Sequence, residues 1–166
     1  AAEIREQIKT GTHFLWIGNA MEILGTYIET DQGEKIEGLG IFPLHAKRQM
    51  LKRLSSLFLG SKEGIEIVGA KAQFTQQYLE DESFPSFCQV KRGIGLHVGS
   101  EVEGIHYKNF IGTAILGPFL ILNPPFVERW VEALTGHDDT VLPFAALNRA
   151  AYEKRVKELR DPKTTL

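Results

Sequence analysis

The stretch HFLWI, residues 13 to 17, limits more than any other what this chain can fold into. It is a short apolar run with no polar residue at alternate positions, the pattern of a strand covered on both faces. Such a strand needs neighbours and helices on either side, which points to an α/β sheet. Gly18-Asn19 then forms a corner. Asn19 is a candidate N-cap, and Met21, Leu24 and Ile28 repeat at helical spacing behind it. Enzymes often place a nucleophile at such a strand-to-helix corner, but this corner holds a glycine. Two readings stand at this point: an ordinary turn in an α/β protein, or an active-site corner without its reactive side chain.

Elsewhere in the chain, local patterns predict most of the elements. Ile4 and Ile8 share a face over residues 1 to 10 and predict a helix, with Gly11 as its C-terminal glycine. DQGEK (31 to 35) is a polar turn, and GLGIFP (38 to 43) predicts a second buried strand stopped by Pro43. LKRLSSLFLG, GIEIVGAKAQF and FCQVKRGIGL are strand-like pieces between Met50 and Val102, which predict antiparallel strands in the middle of the domain. EGIHYKNFIGTAIL (103 to 116) reads as two more strands with a turn near Lys108-Asn109. Asn123-Pro124 opens a helix as N-cap and first-position proline; Val127, Trp130, Val131 and Leu134 form its apolar stripe, and Gly136 ends it. HDDT (137 to 140) is a loop, and a last helix over about 144–160 carries Leu147, Ala151 and Leu159. No internal repeat interrupts this order, so residues 1 to 166 read as a single domain. It starts in a helix and offers only about three candidate parallel strands. Preceding βα units are therefore expected to be missing, leaving the domain N-terminally incomplete.

Composition narrows the function. Apolar residues make up 43% and charged residues 24%, and 166 residues suffice for one core. A net charge of -2 gives no electrostatic basis for binding nucleic acid or an anionic membrane. The uncharged run 110 to 127 has the length of a membrane span, but Gly112, Gly117, three prolines and Asn123 break it. The single cysteine, Cys88, permits no internal disulfide and fits a reduced, cytoplasmic setting. It lies in a strand-like segment with no base at recognisable spacing, so it reads as a buried structural thiol rather than a nucleophile. Histidines 13, 45, 97, 106 and 137 are scattered, read as surface or loop residues, and suggest no metal site. GIGLHVG (93 to 99) precedes a strand-like segment rather than a helix, which argues against a phosphate loop. No cofactor is expected. Trp16 and Trp130 read as core residues; the charged C-terminal helix is either a solvated face or a docking surface.

Two longer patterns supply a context for the corner. GNAMEILG (18 to 25) after a buried strand resembles the nucleophile elbow of class I glutamine amidotransferases, in the branch with C-G-G-Y-Q-L-L-G there. That branch is the cobyric acid synthase type, which includes the amidotransferase subunit of lipid II isoglutaminyl synthase. EGIHYKNFIGTAILGPFLILNP (103 to 124) resembles the branch's E-G-x-x-Y-x-N-x-x-G-T-Y-L-H-G-P-x-L-x-x-N-P. Glu103, Gly104, Tyr107, Asn109, Gly112, Thr113, Gly117, Pro118, Leu120, Asn123 and Pro124 match it. A weaker match sets Gly69-Ala70-Lys71-Ala72-Gln73 on Gly-aromatic-Glu-x-His. The resemblance runs in order over about residues 8 to 135.

This resemblance implies an α/β fold, a flavodoxin-like class I glutamine amidotransferase sandwich with an antiparallel β-rich middle. It sets Gly18 on the nucleophilic cysteine, Glu22 on a glutamine and Leu116 on the catalytic histidine, with Leu116 close to Gly18 across the pocket. No catalytic pair remains in that alignment, and Asn19, Ala20, Lys71 and Gln73 are the pocket candidates. The implied role is a catalytically inactive domain with a structural or regulatory function beside an ATP-dependent ligase or synthase of the cobyric acid or Mur-ligase-like kind. Two alternatives stay open. One is an active amidotransferase supplying ammonia to a ligase in a cell-wall or cobalamin pathway. The other is a module that binds a small molecule in the emptied glutamine pocket.

Overall fold

The computed structural model describes residues 1–139 and 141–166. Thr140, the last residue of the expected HDDT loop, lies outside the described residues. Helix α1 (Ala2–Lys9) leads through Gly11 into β1 (Phe14–Ile17), and a 3-10 helix (Asn19–Leu24) comes directly after the corner. Seven strands come next: β2 (Tyr27–Glu29), β3 (Lys35–Glu37), β4 (Leu44–Arg48), β5 (Leu54–Lys62), β6 (Ile65–Gln73), β7 (Thr75–Leu79) and β8 (Cys88–Arg92). After β9 (Val102–Glu103), β10 (Ile105–Tyr107) and β11 (Phe110–Thr113), the chain closes with α2 (Phe119–Leu122), α3 (Pro124–Thr135) and α4 (Ala145–Arg160).

The described strands form three sheets, in the orders β1-β11-β10, β3-β2-β4-β7 and β6-β5-β8-β9. β1 pairs with β11 in parallel, and β2 with β4; the other named pairs are antiparallel. The architecture is α/β with mixed and antiparallel sheets. The antiparallel middle stands as expected, built on the nine-residue hairpin of β5 and β6. Strand β1 has apolar neighbours on both faces: Phe14 and Trp16 pack on the cluster of Met21, Leu24 and Phe110, and Leu15 on that of Ile111, Ile115 and Phe126. Among the described residues its one strand partner is β11, so its residues remain half-exposed along the other edge.

Two local expectations are corrected. The helix expected from Asn19 through Ile28 is a six-residue 3-10 helix, and Ile28 lies on β2. Met21 and Leu24 are three apart, a spacing that fits the tighter helix as well as the α-helix. Residues 38 to 43 form no strand. They fold back over the 3-10 helix instead: Gly40 N–H donates to Gly25 O, and Ile41 and Phe42 N–H to Leu24 O. The approach is so close that a Cβ on Gly38 would run into Gly25 O. The strand begins only at Leu44, after Pro43. A third difference lies on α4, which buries Val156 and Leu159 while Leu147 is exposed. Arg160 clamps that helix to Glu66 through two bonds of 3.0 and 2.8 Å. Trp16 and Trp130 are partly buried at the margins of their clusters.

Asn123 has a different role from the cap expected of it. Its side chain makes no capping bond to α3. β6 is an edge strand, and Asn123 serves its open edge as one residue of a further strand would. Oδ1 accepts from Val68 N–H at 2.8 Å, and Nδ2 donates to Val68 O at 2.9 Å and to Phe119 O at 2.7 Å. One step along the same edge, Leu116 N–H donates to Ala70 O at 2.7 Å. Asn123→Ala would leave the N–H and C=O of Val68 buried without partners, and each such group costs about 1–3 kcal/mol. Urea unfolding of Asn123→Ala should show a loss of about 2–4 kcal/mol. A loss no larger than that of an average surface substitution would contradict this role.

Candidate functional site

The corner between β1 and the 3-10 helix turns on Gly18, with φ 93° and ψ -158°. Side chains rarely adopt that backbone, and glycine does so at little cost. Gly18 N–H donates to Thr113 O at 2.8 Å, which carries the parallel pairing of β1 with β11 one residue past the strand. Beyond β11 the chain reaches Leu116, which forms an isolated antiparallel bridge with Ala70 of β6. Leu116 is thereby held against the corner: a Cβ built on Gly18 would lie 3.6 Å from Leu116 Cδ2. The structure brings Gly18 and Leu116 together, though 98 residues separate them in the chain.

The other sequence candidates fall in two places. Asn19 and Ala20 are exposed at the start of the 3-10 helix. Lys71 and Gln73 are both 2% exposed and lie within the interior. Lys71 Nζ donates to Glu103 Oε2 at 2.5 Å and also to Gly95 O. Glu103 is completely buried, and its other oxygen accepts from Thr113 Oγ1 at 3.0 Å and Ala114 N–H at 2.9 Å. Gln73 Nε2 donates to Thr75 O at 2.7 Å, while its Oε1 is buried without a partner.

A further buried acid stands beside the corner. Glu22, on the 3-10 helix, accepts a hydrogen bond from Thr75 Oγ1 of β7. Burial raises its carboxyl pKa, and the Thr75 bond and the Arg48 charge only partly offset this. Sequence reasoning placed Glu22 by alignment alone and missed both buried networks. The one available signal was a charge inside an otherwise apolar segment.

Gly18 has no side chain, Leu116 cannot move a proton, and the Lys71 ammonium is engaged by Glu103. Cys88 lies on β8, opposite Glu103 in the register. Burial, and then the nearby Glu103 charge, push its thiol well above the ordinary range. A thiol in such surroundings is a poor nucleophile. His45 and His106 lie half-buried on β4 and β10, not in loops, and burial lowers the pKa of both. Among the described residues no group of three or more His, Cys, Asp or Glu side chains is placed to hold a metal ion. No described helix is long and apolar enough to cross a membrane.

Glu22 makes stability depend on pH in a defined direction. A carboxyl whose pKa is higher in the folded chain binds its proton more tightly there. Its contribution is therefore greatest below the ordinary carboxylate pKa and falls as pH rises from there through the folded value. Glu22→Gln removes this titration and leaves an amide that can still accept from Thr75. In urea unfolding between about pH 4 and pH 7, the variant should lose less stability with rising pH than the parent. Parallel pH profiles would contradict this role for Glu22.

No family model matches the chain. It is similar to the lipid II isoglutaminyl synthase (glutamine-hydrolyzing) subunit GatD of Staphylococcus aureus, with 30% identity over 129 residues, 78% of this chain and 52% of that relative. It is also similar to the subunit of the same name from Streptococcus pneumoniae, with 29% identity over 119 residues, 70% of this chain and 45% of that relative. The chain spans about half the length of the curated relatives it matches. Both relatives fall in the branch to which the motif at 103 to 124 pointed.

Proposed function

We propose that this chain is a catalytically inactive, glutamine amidotransferase-like domain with a structural or regulatory role beside an ATP-dependent ligase or synthase. One observation carries the reading. Gly18 and Leu116 face each other at the corner, where the resemblance assigns a nucleophilic cysteine and its histidine.

Glutamine hydrolysis by a cysteine needs a thiolate to attack the side-chain amide carbon. A base must take the thiol proton and deliver it to the departing ammonia, and backbone N–H groups must hold the oxyanion. A glycine supplies no nucleophile and a leucine no base. Losing both members of such a pair removes the reaction rather than tuning it. Lys71, where the weaker match has a carboxylate, is engaged in an interior ion pair instead.

The relatives are named as subunits of lipid II isoglutaminyl synthase, which supports a ligase-type partner in the same kind of assembly. Within it, a domain that releases no ammonia can still hold the partner's shape or regulate it. On this reading the β1–β11 pair belongs to the flavodoxin-like sheet of the class I sandwich. A cytoplasmic setting suits both an ATP-dependent partner and the lone buried Cys88.

The test is ammonia release from glutamine by the native protein, alone and with whatever protein co-purifies with it. The expected rate is indistinguishable from that of buffer in both cases. Turnover that persists in Cys88→Ala would place the chemistry on other residues and overturn the proposal. Turnover abolished by Cys88→Ala would also overturn it, by making that thiol the nucleophile.

A further inference from the structure

A cavity of 270 Å³ lies at the far end of the strands that carry the corner. Its wall includes His13, just before β1, and Asn109, just before β11. Gly18 is at the opposite end of β1, about 17 Å from His13 at the usual rise of a strand. The cavity is thus separate from the corner, and a ligand there is independent of the function proposed above.

Its lining combines two kinds of group. Ile65, Ile111, Phe126 and Trp130 form an apolar floor between the β5–β6 hairpin, β11 and α3. Lys62, Lys108 and Arg129 bring three full positive charges to the wall, with His106 beside them. Glu63, the acidic residue in the lining, is 3.0 Å from Lys62 and 3.9 Å from Arg129. Three cations against one carboxylate leave an excess of two positive charges, on a protein whose net charge is -2.

Trp130 also supplies a reporter of the site. Trp130 lines the cavity, and its indole Nε1–H is buried without a hydrogen-bond partner among the described residues. The N–H itself is closed off from the cavity's open space, so it reports on the ring that forms the floor rather than serving as a contact. Size sets a limit too: a cavity of roughly 150 Å³ is enough for benzene, so this one accommodates a ring and a short acidic arm.

We infer that this cavity binds a small anion with a flat apolar body, an aromatic carboxylate in the simplest case. The ring lies on Ile111, Phe126 and Trp130, and the carboxylate meets the cations of Lys62, Lys108 and Arg129. A ring alone would leave the cations unused, and a bare inorganic anion would leave the apolar floor wet.

Nitrogen-15 NMR of the full chain tests this directly. The protein has two tryptophans, so Trp16→Phe identifies the indole N–H signal of Trp130. Titration with 3-phenylpropionate should move that signal saturably. The uncharged 3-phenylpropanamide, 3-phenylpropylamine and inorganic phosphate should each bind more weakly. Arg129 is exposed on α3, so Arg129→Gln should leave the fold intact and weaken 3-phenylpropionate binding by about tenfold, the order of one charge-assisted hydrogen bond. Lys108→Gln, also exposed, serves as the second variant and should weaken binding in the same direction. The inference is overturned by no saturable shift at millimolar 3-phenylpropionate, or by equal binding of the amide or the amine. An equal response to inorganic phosphate, or unchanged affinity in both variants, would overturn it as well.

Discussion

The ion pair of Lys71 with Glu103 holds together the parts of this domain that meet at the corner. Lys71 stands on β6 and Glu103 on β9, at opposite edges of one sheet. The same carboxylate accepts from Thr113 and from Ala114 N–H at the end of β11, in another sheet. Side chains this deeply buried cannot carry charge unless they are paired and bonded. Removing one partner of such a pair typically costs about 3–5 kcal/mol, because the other is left uncompensated. The position of β11, and with it the approach of Leu116 to Gly18, depends on this junction. It also bears on Lys71 as a pocket residue: its ammonium is committed to folding. A carboxylate at 71 would instead face that of Glu103, and two carboxylates at that range do not readily ionise together.

The residues that carry the resemblance and those that would carry chemistry separate cleanly. Within 103 to 124, Glu103 and Thr113 form the junction, Asn123 completes the edge of β6, and Asn109 donates to Gly11 O beside β1. Each of these matched residues has a bond that positions the strands around the corner. Leu116, the mismatch at the place of the histidine, contributes its backbone to the bridge with Ala70 and only methyl groups to the corner. A dense motif match therefore reports the fold here, and says nothing by itself about turnover.

Much of this was legible in the sequence, because local patterns carry local structure. The apolar run at 13 to 17, the strand-like pieces of the middle, the turn at Lys108-Asn109 and the helix from Pro124 to a left-handed Gly136 all stand where periodicity and turn residues placed them. The meeting of Gly18 and Leu116 was legible through the paired motifs. The rest depends on partners far apart in the chain. Lys71 and Glu103 are 32 residues apart, Thr75 and Glu22 53, Asn123 and Val68 55. No spacing rule links them, so Asn123 read as a cap and Lys71 as a pocket residue. The segment 38 to 43 misled for a related reason: Phe42 is buried by folding back on the 3-10 helix, which a strand pattern does not distinguish from pairing in a sheet.

The central proposal is that this domain keeps the form of a nucleophile elbow without its chemistry, and that more than the reactive pair has been lost. The most direct measurement is ammonia release from glutamine by the double variant Gly18→Cys, Leu116→His, beside a thermal melt. Space exists for the cysteine, since a Cβ there meets Leu116 only at 3.6 Å. The backbone at φ 93° adds a strain on the order of 1–3 kcal/mol, within the stability of an ordinary domain. Placement of the pair is another matter, because an error of about 1 Å can cost a factor of about a hundred in rate. Lys71 and Gln73 would still stand where the weaker motif match has a carboxylate and a histidine. The expected result is a folded double variant with little or no turnover. Robust turnover from a folded double variant would show that the surrounding site is intact, and would contradict the proposal.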